Sequence, residues 1–352
     1  MKILIITQKV DVNNDVLGFF HSWLEKFAEQ ADKVYVVCLF AGEYNLPENV
    51  KVYSLGKEKG FSKIRQFFRL EKFLFKRLPE VNGIFCHMCP IYLILSFPLA
   101  KIFKKKLVLW YVHRSVNFKL KLAEKLADNI FTASKESCQL KSKKVEILGH
   151  GIDTDFFRPG YNLNTTNKIF KILFVGRISP IKDLKTLIKA ADILINQKKI
   201  PALEFDIVGQ PLSNFDKEYF EEVKELVQEK NLNKYVNFLG SIPHKDILKF
   251  YQESDIFVNL CPTGGMDKAV LEAMACNTLV LVANQTFRNL LGNLARNLIF
   301  EKGNSEDLAQ KIYLLINDSD QQESKEHLRE IVLREHDLKN LIKKVTLFYV
   351  KT

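Results

Sequence analysis

The stretch Asn259-Leu-Cys-Pro262-Thr-Gly264-Gly265-Met266-Asp267-Lys268-Ala-Val-Leu-Glu272-Ala-Met-Ala-Cys276-Asn-Thr-Leu-Val-Leu-Val282 decides the fold. It reads as the end of a strand, a glycine-bearing loop, a helix and a second strand. A loop of this kind presents backbone amides beside a helix N-terminus, where an anion can sit. Glu272 is the lone charge in the apolar run Ala269–Cys276, so its carboxylate is expected to be partly buried and to need a partner or a ligand.

Working outward, the same alternation continues on both sides. Ile169–Val175, Leu203–Val208, Val236–Leu239, Ile256–Leu260 and Leu279–Ala283 read as strands, with helical patterns over Leu184–Ile195, Lys217–Lys230 and Lys245–Glu253. Upstream, the polar stretch Arg158-Pro-Gly-Tyr-Asn-Leu-Asn-Thr-Thr-Asn167 reads as a linker. Before it lies another series: strands at Lys2–Thr7, Lys33–Leu39, Gly83–Phe85, Lys106–Tyr111, Asn129–Ala133 and Val145–Leu148, and helices at Gly18–Glu29, Phe61–Arg77 and Leu120–Ala127. Such alternation predicts parallel sheets wrapped by helices. The class is α/β, with two Rossmann-like doubly wound domains expected over 1–160 and 168–324 and a central cleft facing both. Helical patterns follow at Ser305–Asn317 and Lys325–Lys344, and the segment 325–352 is expected to return to the first domain as a helix.

Composition agrees with two cores. The chain has 352 residues, 47% hydrophobic and 26% charged, with no low-complexity tract. Six cysteines fall mostly inside or beside apolar runs, which suits free thiols in a reducing compartment. Cys86-His87-Met88-Cys89 lacks a second pair at metal-binding spacing, so no metal site is expected there. The opening Met-Lys-Ile-Leu-Ile-Ile-Thr is too short an apolar run for a secretory leader, and a cytoplasmic location is expected. Of a formal charge of +11, nearly all lies early: residues 1–160 hold 26 Lys+Arg against 16 Asp+Glu, and 161–352 hold 26 against 25. That split points to a polyanion or an anionic membrane surface as a partner of the first half.

A second candidate anion site is the turn Val175-Gly176-Arg177-Ile-Ser-Pro-Ile-Lys182-Asp183. Gly176 permits a sharp turn, while Arg177 and Lys182 place cations near a helix N-terminus, which suits a diphosphate. Neither a P-loop nor a G-x-G-x-x-G fingerprint is present.

Taken in order, Phe174-Val-Gly-Arg177 with Lys182, Phe205-Asp-Ile-Val-Gly209, Phe238-Leu-Gly240, Tyr251-Gln-Glu-Ser-Asp255-Ile-Phe-Val and Leu271-Glu272-Ala-Met-Ala275 resemble the retaining family-four glycosyltransferases of the GT-B fold. The likeness spans most of the second domain. In the first domain, Asp15-Val-Leu-Gly18-Phe-Phe, His113 and Gly149-His150-Gly151-Ile152-Asp153 stand where such enzymes have comparable features. The resemblance implies sugar transfer from a nucleotide-sugar donor, held by the second domain, to a glycan or glycolipid acceptor on the first, with anomeric configuration retained and no obligatory metal. It implies that Arg177 and Lys182 bind the donor diphosphate, that Glu272 holds the ribose, that His113 lies near the reacting sugar, and that Gly18 belongs to a loop over the phosphates. It also implies a paired-glutamate motif, but the position eight before Glu272 is Gly264. The amides of Gly264, Gly265 and Met266, with Asp267 or Lys268, are expected to replace the missing acid. Asp267 has a second reading, as the cap of the following helix; His113 has one too, bonded to local backbone.

The segment Gly60–Arg77 combines Phe and Leu with six cations, and reads either as a membrane-surface helix or as a core helix with a solvated basic face. The leading functional reading is a retaining glycosyltransferase at the cytoplasmic face of a membrane. A non-catalytic nucleotide-sugar-binding or scaffold protein of the same fold is the alternative. Nucleic-acid binding has only the basic charge in its favour, without a recognition signature.

Overall fold

The computed structural model describes residues 1–14, 17–160, 169–200, 202–262, 264–318 and 321–350. The expected linker therefore lies largely outside the described residues, as do Asp15 and Val16 of the Gly18 loop. By contacts the chain forms two compact units: one comprises Met1–Asp153, Pro243–Lys245 and the chain from Glu335 onward, the other Thr154–Ile242 and Asp246–Arg334.

The first unit contains, in chain order, β1 (Lys2–Val10), α1 (Phe20–Gln30), β2 (Lys33–Ala41), β3 (Val50–Ser54), α2 (Lys63–Arg77), β4 (Gly83–His87), α3 (Pro90–Ile102), β5 (Lys106–Trp110), α4 (Phe118–Leu126), β6 (Asn129–Thr132) and β7 (Val145–Ile147). The second contains β8 (Phe170–Val175), α5 (Leu184–Asp192), β9 (Leu203–Val208), α6 (Asn214–Glu229), β10 (Val236–Gly240), α7 (Leu248–Glu253), β11 (Ile256–Asn259), α8 (Lys268–Ala275), β12 (Leu279–Val282), the single turns α9 (Arg288–Leu291) and α10 (Ala295–Leu298), α11 (Ser305–Ile316) and α12 (Gln321–Glu335). A last helix, α13 (Leu338–Val350), belongs to the first unit.

Both sheets are parallel. Their strand orders are β3-β2-β1-β4-β5-β6-β7 and β10-β9-β8-β11-β12. Each sheet thus reverses direction of travel once, between β1 and β4 in the first and between β8 and β11 in the second. At such a switch point the loops leave the sheet on opposite faces and open a crevice at its carboxyl edge.

Strand β1 shows why the apolar runs are nearly unbroken. Ile3 and Ile5 enter one core with Phe20, Trp23 and Phe27 of α1 and Leu341 and Val345 of α13. Leu4 and Ile6 enter the opposite core with Leu70 and Leu74 of α2, Leu93 of α3 and Leu120 of α4. Alternate side chains point to opposite faces, and both faces are covered, so no position of the run stays polar.

The sequence reading differs from the structure at three elements. β3 and α3 were not expected. α3 contains Pro90 and Pro98, and Pro90 falls in its first turn, where no backbone amide is needed. The helical pattern over Lys325–Lys344 is two helices. Asp337 Oδ1 accepts the Asn340 amide at 2.7 Å and so starts α13, while the backbone between α12 and α13 pairs with Ile152: Ile152 N donates to His336 O at 2.7 Å and Leu338 N donates to Ile152 O at 2.8 Å. Tyr349 of α13 then donates its hydroxyl to Ile84 O at 2.8 Å across Gly83, where a Cβ would lie 2.5 Å from the Tyr349 ring.

Candidate functional site

The switch point of the second sheet gathers most of the residues singled out from the sequence. β8 and β10 end beside glycines whose backbones draw close to that of Gly209: Gly176 N donates to Val208 O at 3.0 Å and Gly209 N to Gly240 O at 2.8 Å. At Gly209 φ is +141°, and a Cβ would meet Gly176 O at 1.9 Å, so this edge has no room for a side chain there.

From Gly176 the chain runs through a 3-10 turn, Pro180–Lys182, into α5. Lys182 folds back over the glycine, with Cε 3.9 Å from where a Gly176 Cβ would stand. Its Nζ lies 2.7 Å from Asp267 Oδ2, and the same oxygen accepts Asn259 Nδ2 at 2.7 Å. The loop after β11 is thereby tied to the turn after β8. Asp267 occupies the N-cap position of α8 but makes no side-chain cap bond. Its carboxylate is committed to Lys182 and Asn259, which corrects the reading of Asp267 as a cap.

Arg177 does not join Lys182 in this ion pair. It is exposed. Burial pushes the Asp216 carboxyl up, but hydrogen bonds from Ser213 and the charge of Arg177 outweigh this and hold it below its ordinary range. The two cations read together in the sequence thus face different carboxylates in the structure.

Glu272, buried on α8, accepts the Tyr251 hydroxyl at 2.9 Å through Oε2. Burial, with the Glu272 charge beside it, holds the Tyr251 phenol well above its ordinary range and keeps it a donor. Lys268, half-buried one turn before Glu272, is pushed down to about 8 by burial, against the opposing pull of the Glu272 charge. Gly264 sits at φ +117° with no atom within 4 Å of an added Cβ. The space for an acid exists, but the backbone conformation favours glycine. Asn284 Nδ2 donates to Gly265 O at 3.3 Å, while Gly265 and Met266 are half-buried. Two buried polar atoms at this edge, Ser179 Oγ and Asn259 Oδ1, have no hydrogen-bond partner among the described residues.

In the first unit, His113 is exposed and its Nδ1 accepts the Ser115 amide at 3.0 Å, the local-backbone arrangement. It also lines a cavity of about 430 Å³ with Gln8, Leu39, Met88, Tyr92 and Tyr111, at the carboxyl ends of β1, β2, β4 and β5. Gly18 lies beside α1, where its amide donates to Asn14 O at 2.8 Å and a Cβ would meet that oxygen at 2.6 Å. The sequence reading assigned no role to Asn259 or Tyr251, yet Asn259 shares the Asp267 carboxylate and Tyr251 partners Glu272. Tyr251 stood in a recurring motif, whereas Asn259 carried no separate signal. It likewise left out His87, which is buried at the first switch point, 3.2 Å from Thr7 Oγ1 through Nδ1 and stacked on Phe20 at 3.9 Å between ring centroids.

Comparison with known proteins agrees with this organisation. Residues 153–332 match the family described as "Glycosyl transferases group 1". The Escherichia coli UDP-Gal:alpha-D-GlcNAc-diphosphoundecaprenol alpha-1,3-galactosyltransferase is 30% identical over 157 residues, which is 42% of this chain and 38% of that protein. The D-inositol 3-phosphate glycosyltransferase of Mycolicibacterium smegmatis is 27% identical over 148 residues, 40% of this chain and 32% of that protein. The matched region thus spans well under half the length of these curated relatives. Among solved structures, Anabaena HepE in complex with UDP covers 100% of both chains with a TM-score of 0.77 at 18% identity. That likeness shows the fold, a GT-B arrangement of two Rossmann-like units. The family match extends over more than half of the sequence, and the chain belongs to the group 1 glycosyl transferases.

Proposed function

We propose that this chain transfers a sugar from a nucleotide-sugar donor to a glycan or lipid-linked acceptor, with retention of anomeric configuration. The observation that carries the reading is the Lys182–Asp267–Asn259 cluster, set with the Glu272–Tyr251 pair at the switch point of the second sheet. When the glycosidic bond to the donor breaks, negative charge builds on the departing diphosphate. A fixed ammonium and backbone amides aimed at that charge stabilise it without reorganising at the moment of reaction. Asp267 holds Lys182 extended over Gly176, which makes it a positioning residue for that cation, and Arg177 supplies the second charge. Glu272, which accepts the Tyr251 hydroxyl through Oε2, is the carboxylate that receives the ribose hydroxyls.

The acceptor hydroxyl oxygen attacks the anomeric carbon from the face that the diphosphate leaves, and its proton passes to the leaving phosphate oxygen. No metal is required in this scheme, because Lys182 and Arg177 neutralise the leaving group. Uridine diphosphate is the favoured donor nucleotide, since HepE was solved with UDP and the Escherichia coli relative is named for UDP-Gal. The cavity lined by Tyr111 and His113 is the acceptor subsite, and the acceptor is lipid-linked or polysaccharide at the cytoplasmic face of a membrane.

The test is a thermal-shift screen of the full chain against UDP-, GDP- and ADP-sugars, followed by transfer assays with the stabilising donor. A ligand that binds only the folded state raises the melting temperature. Stabilisation by one nucleotide series and transfer that fails in Lys182→Ala support the proposal; the absence of any nucleotide-dependent shift overturns it. A non-catalytic binding protein is the second reading, favoured by Gly264 in place of the motif acid, and it is the outcome if donor binds yet is neither transferred nor hydrolysed.

A further inference from the structure

Helix α2 buries only one side. Gln66, Leu70 and Leu74 are buried, with the two leucines closing the core beneath the first sheet. Ile64, Phe68 and Phe75 remain 72%, 65% and 65% exposed. Spaced four and then seven residues apart, these three share one helix face, so the segment's aromatic residues are mostly not spent on covering the sheet. The surface continues onto the end of α3, because the Phe75 and Phe103 rings meet edge to face at 5.9 Å, and Ile102 beside them is 70% exposed.

Cations frame this apolar strip. Lys63, Lys72, Lys76 and Lys104 are exposed, and among the described residues none of them is in a salt bridge. Arg65 lies over the Phe61 ring at 3.5 Å. The only acid on α2, Glu71, is half-buried. A purely solvated basic face would not expose three large apolar side chains between its cations, and a protein interface core is normally depleted of lysine. Unpaired ammonium groups around exposed Ile and Phe match the headgroup and upper acyl region of an anionic bilayer. No helix among the described residues is long and apolar enough to cross a membrane.

We propose that α2 and the C-terminal end of α3 form a docking surface for an anionic lipid bilayer, with Ile64, Phe68, Phe75 and Ile102 entering the interface and Lys63, Lys72, Lys76 and Lys104 engaging headgroup phosphates. The surface is independent of the donor reading, because none of these residues belongs to the donor edge.

The experiment is co-sedimentation of the full chain with vesicles of phosphatidylcholine alone or of phosphatidylcholine and phosphatidylglycerol in equal parts, at low and high salt. Lys63→Gln/Lys72→Gln/Lys76→Gln and Phe68→Ser/Phe75→Ser change exposed side chains only. Binding is expected to require phosphatidylglycerol, to weaken with salt, and to fall roughly tenfold or more in each variant. The nucleotide-induced thermal shift is expected to be unchanged in both, so failure here and failure of the transferase reading are distinguishable. No vesicle binding, or equal binding to both vesicle types, overturns the proposal. So does loss in the lysine variant alone with Phe68→Ser/Phe75→Ser unchanged, which describes a soluble polyanion site.

Discussion

The carboxyl edges of the two sheets have the same topology and opposite chemistry. At the second edge, strand ends meet through glycines, and the loops and helix α8 carry Lys182, Asp267, Lys268 and Glu272, paired or crowded in a small space. At the first edge the corresponding positions hold His87, stacked on Phe20, and Met88 and Tyr111, which line a largely uncharged cavity. A Rossmann-like sheet fixes where its loops emerge but leaves the loop side chains open, so one fold can present an edge of paired charges and an apolar, hydroxyl-bearing one.

The largest effect expected from this contrast is on catalysis. Lys182→Ala should lower transfer by about 2–4 kcal/mol of transition-state stabilisation, the usual consequence of removing one preorganised charge donor. Asp267→Asn, which keeps the hydrogen bond to Lys182 but removes its charge, should act on the same step with a smaller loss. Steady-state kinetics check both, and a Lys182→Ala enzyme at full rate would place the diphosphate elsewhere.

Titration separates the two units next. Burial pushes His336 of the first unit down to about 4, against the opposing pull of Glu335. Its Nδ1 accepts the His150 amide at 3.2 Å, as only an unprotonated nitrogen can. Above pH about 6.5 both folded and unfolded chains hold His336 neutral. As the pH falls from there to about 4, only the unfolded chain gains the proton, so stability is lost by on the order of 3 kcal/mol. Denaturant unfolding of His336→Asn across that window should show this slope removed.

In the second unit the sensitive window is alkaline. Lys268 sits near 8 when folded and returns to the ordinary lysine value when unfolded. Between these two values the unfolded chain retains a proton that the folded chain has released, so stability rises with pH there. Lys268→Met should erase the alkaline rise and leave the acid slope of His336 intact. If both variants flatten the same window, the assignment of separate titrations fails.

The smallest effect should come from His113→Ala. Its ring is exposed and bonded to its own turn, so the folded state should tolerate the change within about 0.5 kcal/mol. A change in KM for acceptor with the donor KM untouched would mark His113 as part of the acceptor subsite; equal changes in both would blur the division between the edges.

The series of strands and helices was legible because parallel strands covered on both faces must be apolar throughout, and few other arrangements leave that trace. Glu272 was legible for a related reason, a single charge in an apolar helix that had to find Tyr251 or something like it. Helix α3 was hidden by its two prolines, and the break before α13 by a helical pattern that runs unbroken through His336 and Asp337. Arg177 and Lys182 looked like one pair because they lie five residues apart, yet their carboxylate neighbours, Asp216 and Asp267, are distant in the chain.

By itself, then, the sequence determined that this protein has two parallel α/β units, that a glycine-bearing turn with Arg177 and Lys182 belongs to the second, and that a basic segment rich in phenylalanine belongs to the first. Local periodicity and turn chemistry suffice for that, since each concerns neighbours along the chain. Only the tertiary structure decided that Asp267 holds Lys182 instead of capping α8, that Asn259 shares that carboxylate, and that α2 leaves Phe68 and Phe75 to solvent. Those outcomes depend on which residues from separate loops and strands come within about 3 Å of each other, the range over which a hydrogen bond or ion pair forms. No spacing along one segment encodes that distance.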